Sequence, residues 1–187
     1  MKKFVDPLIP DTFYHIYNRA CGFDKIFVEE KNYRYFMDLF EEKMAEYVDL
    51  YCYCLIPNHF HLLIKTKALQ IGECLKIDYS KKFGNLFAAY AQSFNHYYGR
   101  KGNLFSQNFR RKAIVSDEYL KTVVIYIHRN PIKHRLVQDI SDWKFSSYRE
   151  YLGKRRLYCK RNDVLEWFAS SELFKFCHTL DSESDIE

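Results

Sequence analysis

Four residues of this sequence have types and spacings that invite chemistry: His59 and His61 in one stretch, Tyr126 and Asn130 in another. His59 and His61 lie in an apolar run, 59–66, that reads as a short strand. Side chains on a strand alternate, so both imidazoles share one face, about 7 Å apart, while Phe60 and Leu62 take the other. Neutral imidazoles so placed can converge on one divalent cation. The triplet alone names no reaction, because a His pair also suits zinc, copper or nickel, or is simply wet or packed. Tyr126 and Asn130 fall one turn apart in 116–137, which reads as an amphipathic helix broken by Pro131 and followed by a basic tail. Ser116 suits the N-cap, and Asp117 and Glu118 place negative charge in the first turn. Leu120, Val123, Val124 and Ile127 form one apolar stripe. Tyr126 projects off that stripe and Asn130 beside it, so a phenol and a carboxamide share one edge of a docked helix. An interfacial tyrosine, ring packed and hydroxyl wet, fits the same pattern.

Around these residues the chain alternates strands and helices. Residues 12–20 alternate Phe13, His15, Tyr17 with Tyr14, Ile16, Asn18 and read as a strand. Residues 29–47 carry helical spacing. Residues 48–56 are β-branched and aromatic, and Pro57-Asn58 makes a hairpin turn into 59–66. A second helix spans 76–98, with Gly99 after it at C′. Residues 103–115 read as a fourth strand feeding into the Tyr126 helix. This order fits an α+β, ferredoxin-like split-βαβ antiparallel sheet. Helices cover one face and leave the other to a ligand. A helix bearing Tyr126 and a C-terminal helical extension complete the fold. The expected division is 1–152 for one domain, then 153–187 as a basic link, a short helix over 162–177 and an acidic tail.

At 187 residues, 48% hydrophobic and 28% charged, the chain has the composition of an ordinary globular domain. Its sixteen tyrosines and sixteen phenylalanines are many, and such rings either build a core or stack on bases. The net charge of +5 fits a polyanionic partner without requiring one. Six cysteines show no zinc-ribbon spacing and read as reduced thiols, which points to a cytoplasmic location. No run is long and apolar enough for a membrane span, so no membrane partner is expected.

A resemblance joins these pieces. Residues 57–63 (PNHFHLL), 102–109 (GNLFSQNF), 117–120 (DEYL), 126–131 (YIHRNP), Asp142-Trp143 and Ser147-Tyr148 follow one another in order and spacing. The joint pattern, from about Tyr14 to Leu152, resembles the HUH single-tyrosine transposases, in particular the REP-associated tyrosine transposase subgroup. The chain departs from it at Lys133-His134-Arg135, where many relatives carry a small Ala-Gly pair, and after Gly153, which matches nothing in the pattern.

The resemblance implies that His59 and His61 ligate a divalent metal, Mg²⁺ or Mn²⁺, and that Tyr126 is the nucleophile. Asn130 takes the place of a polar third ligand, often Gln in insertion-sequence relatives. It implies cleavage and strand transfer of single-stranded DNA at a hairpin-forming palindrome, through a 5′-phosphotyrosine link. A phenol is a weak nucleophile at neutral pH, and a cation on the phosphate oxygens offsets the developing charge. Arg100, Lys101, Arg110, Arg111, Lys112, Lys133 and Arg135 are the candidates for phosphate contacts. Relatives act as monomers or as homodimers, and the sequence leaves both open. Two other readings compete. A catalytically silent, domesticated binder would hold single strands on exposed aromatics such as Tyr14, Tyr17 and Tyr53. A metal-dependent hydrolase would activate water and need no tyrosine.

Overall fold

Strands form where the sequence alternates or runs β-branched and aromatic. In the computed structural model, which describes residues 5–68, 77–106, 108–153 and 158–180, they are β1 (Phe13–Arg19), β2 (Val48–Ile56) and β3 (His59–Thr66). The fourth, β4 (Arg110–Ile114), is shorter than the expected 103–115. Asn108 takes a φ of 54°, which no strand accommodates, and Phe105 makes only a lone bridge to Ala20. The strands lie in the order β2-β3-β1-β4 with every neighbour antiparallel.

Helices α1 (Glu30–Met44) and α2 (Tyr79–Tyr97) cover one face. Asp78 caps α2 by accepting from the Lys81 amide, and Gly99 follows it at a φ of +60°. Lys76, expected to open that helix, lies outside the described residues. Phe60 points into this layer, with ring centroids 5.0 Å from Phe36 and 5.3 Å from Phe87. The abundant rings therefore build a core. Tyr14, Tyr17 and Tyr53, the expected stacking surface of a binder, are buried too. The hydroxyls of Tyr14 and Tyr53 donate to the Pro7 carbonyl and to Glu150 Oε1.

The opposite face is not left wholly to a ligand. Helix α3 (Asp117–Lys133) lies on it along β2 and β3. Beyond α3, residues 143–147 run along the outer edge of β2. There the Leu55 amide donates to the Phe145 carbonyl and the Ser147 amide to the Tyr53 carbonyl. This pairing removes an exposed sheet edge. Helix α4 (Tyr148–Tyr151) follows. The expected single helix over 162–177 is two, α5 (Arg161–Trp167) and α6 (Ser171–Thr179), because Ala169 turns at a φ of 63° and Ser170 caps a new start. The basic link at 154–157 and the tail at 181–187 lie outside the described residues. Among the described residues no helix is long and apolar enough to cross a membrane.

Val164, Phe168 and Phe174 belong to the same buried cluster as the sheet residues. Phe174 is fully buried against His128, Tyr148, Tyr151 and Phe168. Phe174→Ala is therefore expected to lower the unfolding free energy by about 3–5 kcal/mol in one cooperative denaturant transition. Two separated transitions would show instead that 158–180 folds apart from the sheet.

Candidate active site

The hairpin that carries the histidines is held rigidly at its turn. The Pro57 carbonyl accepts from the amides of Ile26 (2.8 Å) and Phe27 (3.0 Å), and the Asn58 carbonyl from that of Ala20 (2.7 Å). On β1, Tyr17 stands opposite His61 and Arg19 opposite His59, so His15, Tyr17, His59 and His61 share one face. The ring centroids of His59 and His61 are 5.1 Å apart.

Helix α3 completes the arrangement from that same face. The Ser116 side chain accepts from the Tyr119 amide, and the predicted stripe of Leu120, Val123, Val124 and Ile127 is buried. Its flanking edge then meets the hairpin. The Tyr126 ring lies edge-on, 5.6 Å from His61 and 5.9 Å from His15, and Asn130 Oδ1 is 3.5 Å from His59 Nε2. Both residues are buried, Tyr126 at 7% exposure and Asn130 at 1%. On the other flank His128 is fully buried, with Nε2 2.8 Å from Ser147 Oγ and 3.2 Å from Cys52 Sγ, and Nδ1 2.9 Å from His178 Nε2. Arg129 donates to the carbonyls of His178 and Leu180. Helix α3 is thus fixed from both sides.

Pro131 does not break this helix. It sits in the last turn, where only the Ile127 carbonyl loses a helical partner, and the His134 amide still reaches the Asn130 carbonyl at 2.9 Å. The basic tail is accordingly part of the site. Lys133 Nζ lies 5.3 Å from the Tyr126 ring centre, and the His134 ring 4.5 Å from that of His59. Sequence reasoning missed His134, although Tyr126, Asn130 and His134 follow i, i+4, i+8. It also missed His15, whose proximity depends on strand register.

Burial sets the protonation of the imidazoles. It pushes His59 down to about 4, helped by His134, and His15 to about 3, helped by Lys112. It holds His61 well below the usual histidine range, with His15 adding to the effect. All three are neutral near pH 7. His59 Nδ1 lies 2.9 Å from Asn58 Oδ1, which can only accept, so Nδ1 carries the proton and Nε2 the lone pair. Asn130 Nδ2 donates to the Tyr126 carbonyl at 3.0 Å, which leaves Oδ1 as an acceptor. Two acceptors therefore face each other at 3.5 Å. A cation relieves that repulsion, and two imidazoles with one carboxamide fit an ion that completes its sphere with water and phosphate oxygens. Among the described residues no group of three or more His, Cys, Asp or Glu is disposed to hold a metal, so any cation here relies on the carboxamide.

A cavity of about 200 Å³ opens beside His59, lined by Tyr17, Asn18, Arg19, Asn58, Ser106, Arg110 and His134. The predicted basic residues divide around it. Arg110 and Lys112 share the histidine face of β4, and Lys101, Lys133 and Arg135 are exposed. Lys112 donates to the Tyr119 hydroxyl. Arg111 turns to the other face and donates to the Asp6 carbonyl, and Arg100 is held by Asp24. These last two are engaged in fastening loops.

The buried histidines carry a pH signature. Their folded pKa values lie below the unfolded value near 6.5, so the unfolded chain binds more protons as pH falls from 6.5 toward 4. Stability is then full above about 6.5 and lost on acidification, at about 1.4 kcal/mol per pH unit for each such histidine. The urea midpoint is expected to drop steeply between pH 7 and 5. A flat profile there would contradict neutral burial.

No family model matches the chain. A provisionally named REP-associated tyrosine transposase of Haemophilus influenzae is 29% identical over 98 residues, covering 51% of this chain and 56% of its own length. A REP-associated tyrosine transposase of Escherichia coli is 28% identical over 100 residues, covering 54% of each. The chain thus spans just over half the length of these curated relatives. A solved structure of a REP-associated tyrosine transposase bound to a REP hairpin superposes with a TM-score of 0.63 at 19% identity, covering 88% of this chain and 93% of that one. At that identity the likeness is one of fold, and it adds to the relatives' names and the order of motifs. In sequence over about half its length, and in fold over most of it, the chain is similar to the REP-associated tyrosine transposases.

Proposed function

We propose that this protein cleaves and rejoins single-stranded DNA beside a hairpin, with Tyr126 as the nucleophile. The observation that carries the reading is the meeting of Tyr126 with His61, next to the facing acceptors His59 Nε2 and Asn130 Oδ1. The Tyr126 oxygen forms a bond to phosphorus as the bond to the 3′-oxygen breaks. The phenol gives up its proton, the departing 3′-oxygen gains one, and the 5′-phosphate stays on the tyrosine. A second 3′-OH reverses the step and rejoins DNA. A divalent ion held by His59, His61 and Asn130, Mg²⁺ or Mn²⁺, would supply Lewis-acid polarisation of the scissile phosphate. Arg110, which lines the cavity beside His59, and Lys133, beside the Tyr126 ring, would hold flanking phosphates of DNA entering through that cavity.

The hairpin partner is suggested by the similar protein solved with a REP hairpin. Tyr126 meets the histidines of its own chain, so no second subunit is needed to complete the site. A silent binder is less well supported, since Tyr14, Tyr17 and Tyr53 are buried. Hydrolysis alone gives no reason for a tyrosine packed on the imidazole pair.

Labelled hairpin oligonucleotides with Mg²⁺ or Mn²⁺ are expected to yield a denaturant-resistant protein–DNA adduct. The adduct is absent with Tyr126→Phe, and falls at least about tenfold with His59→Ala, His61→Ala or Asn130→Ala. Free products without adduct would indicate hydrolysis, and shifted but uncut DNA binding alone. Arg110→Ala and Lys133→Ala should each flatten the slope of log K against log salt by about 1. Unchanged slopes would take those residues out of the DNA path.

A further inference from the structure

His15 is fully buried on β1, its Nε2 2.9 Å from His61 Nδ1 and its rim against Tyr126. Its own Nδ1 has no hydrogen-bond partner among the described residues. A phenyl ring would fill the same space without the cost of a buried unsatisfied polar group. Each neutral imidazole offers one donor and one acceptor, so the contact between the two rings has two possible senses. If His15 donates, His61 carries its proton on Nε2, and that nitrogen cannot take a cation. If His61 donates, its Nε2 carries the lone pair. His59 is already in this second form, because Asn58 Oδ1 can only accept from its Nδ1.

We infer that His15 is the positioning residue for His61: it accepts the His61 Nδ1 proton and so presents Nε2 as a base. The two members of the imidazole pair are then oriented alike by different partners, Asn58 for one and His15 for the other. In metal sites such an outer hydrogen bond fixes the tautomer and raises the basicity of the ligand, and its loss costs about 10–100-fold in affinity. The inference rests on the cation reading of His59, His61 and Asn130, and goes beyond it by assigning a residue that holds no cation itself.

The test is Mn²⁺ binding by calorimetry, with no DNA present. His15→Phe keeps a ring but removes the acceptor and should weaken binding about 10–100-fold. His15→Gln, whose side-chain oxygen can accept, should recover most of the loss. Binding by His15→Phe as tight as wild type, with His59→Ala abolishing it, overturns the role of His15 and leaves the cation reading standing. Absence of Mn²⁺ binding in the wild type, or binding indifferent to His59→Ala, overturns both. Long-range ¹H–¹⁵N NMR of the wild-type imidazoles under Mg²⁺ reads the tautomer directly and needs no variant to fold. A proton on His61 Nδ1 is expected, and one persisting on Nε2 at saturating Mg²⁺ overturns the inference.

Discussion

The burial of one stripe of α3, Leu120, Val123, Val124 and Ile127, against the histidine face of the sheet is the constraint on which the rest depends. A helix turns about 100° per residue, so a stripe displaced by a single position would carry Tyr126 away from His61. The dispersion and hydrophobic terms that seat the stripe have no directional preference of their own. Direction comes from the polar fixings on the far flank, where His128 meets Cys52, Ser147 and His178, and Arg129 holds the end of α6. The C-terminal helices thereby act on the rotation of the helix that bears the phenol.

The face opposite is ordinary packing, and the contrast explains the composition. Rings of α1, α2 and β3 interlock on the Phe60 side and supply the apolar area that a four-stranded sheet needs. On the histidine side the same sheet buries imidazoles and carboxamides, which are costly to bury. Two acceptors there confront each other, and the Nδ1 of His15 has no hydrogen-bond partner among the described residues. A sequence optimised only for stability would not keep these features, and they gather where chemistry is proposed.

Much of this was legible in the residues. β-branched and aromatic content and the Pro57-Asn58 turn placed β2 and β3 over the expected spans, and period-two alternation put His59 and His61 on one face because nothing but geometry is involved. The α3 stripe was equally plain, since four apolar residues at helical spacing leave one solution. What failed was punctuation. Pro131 reads as a breaker in isolation, yet in the final turn it costs one hydrogen bond, and the continued helix brings Lys133 and His134 into the site. Ala169 carries no turn signal in its identity, so the division between α5 and α6 was invisible. His15 could not be singled out because its neighbour is chosen by the register of β1 on β3. Aromatic identity alone does not say which side of a sheet is covered, so the sequence does not reveal that Tyr14, Tyr17 and Tyr53 are buried.

The central claim is that one particular phenol among sixteen tyrosines becomes joined to DNA. Proteolysis and mass spectrometry of a trapped complex with a hairpin oligonucleotide test it most directly. A 5′-linked nucleotide mass is expected on the peptide containing Tyr126 and on no other. A nucleotide on a different tyrosine, or a linkage through a 3′-phosphate, would contradict it.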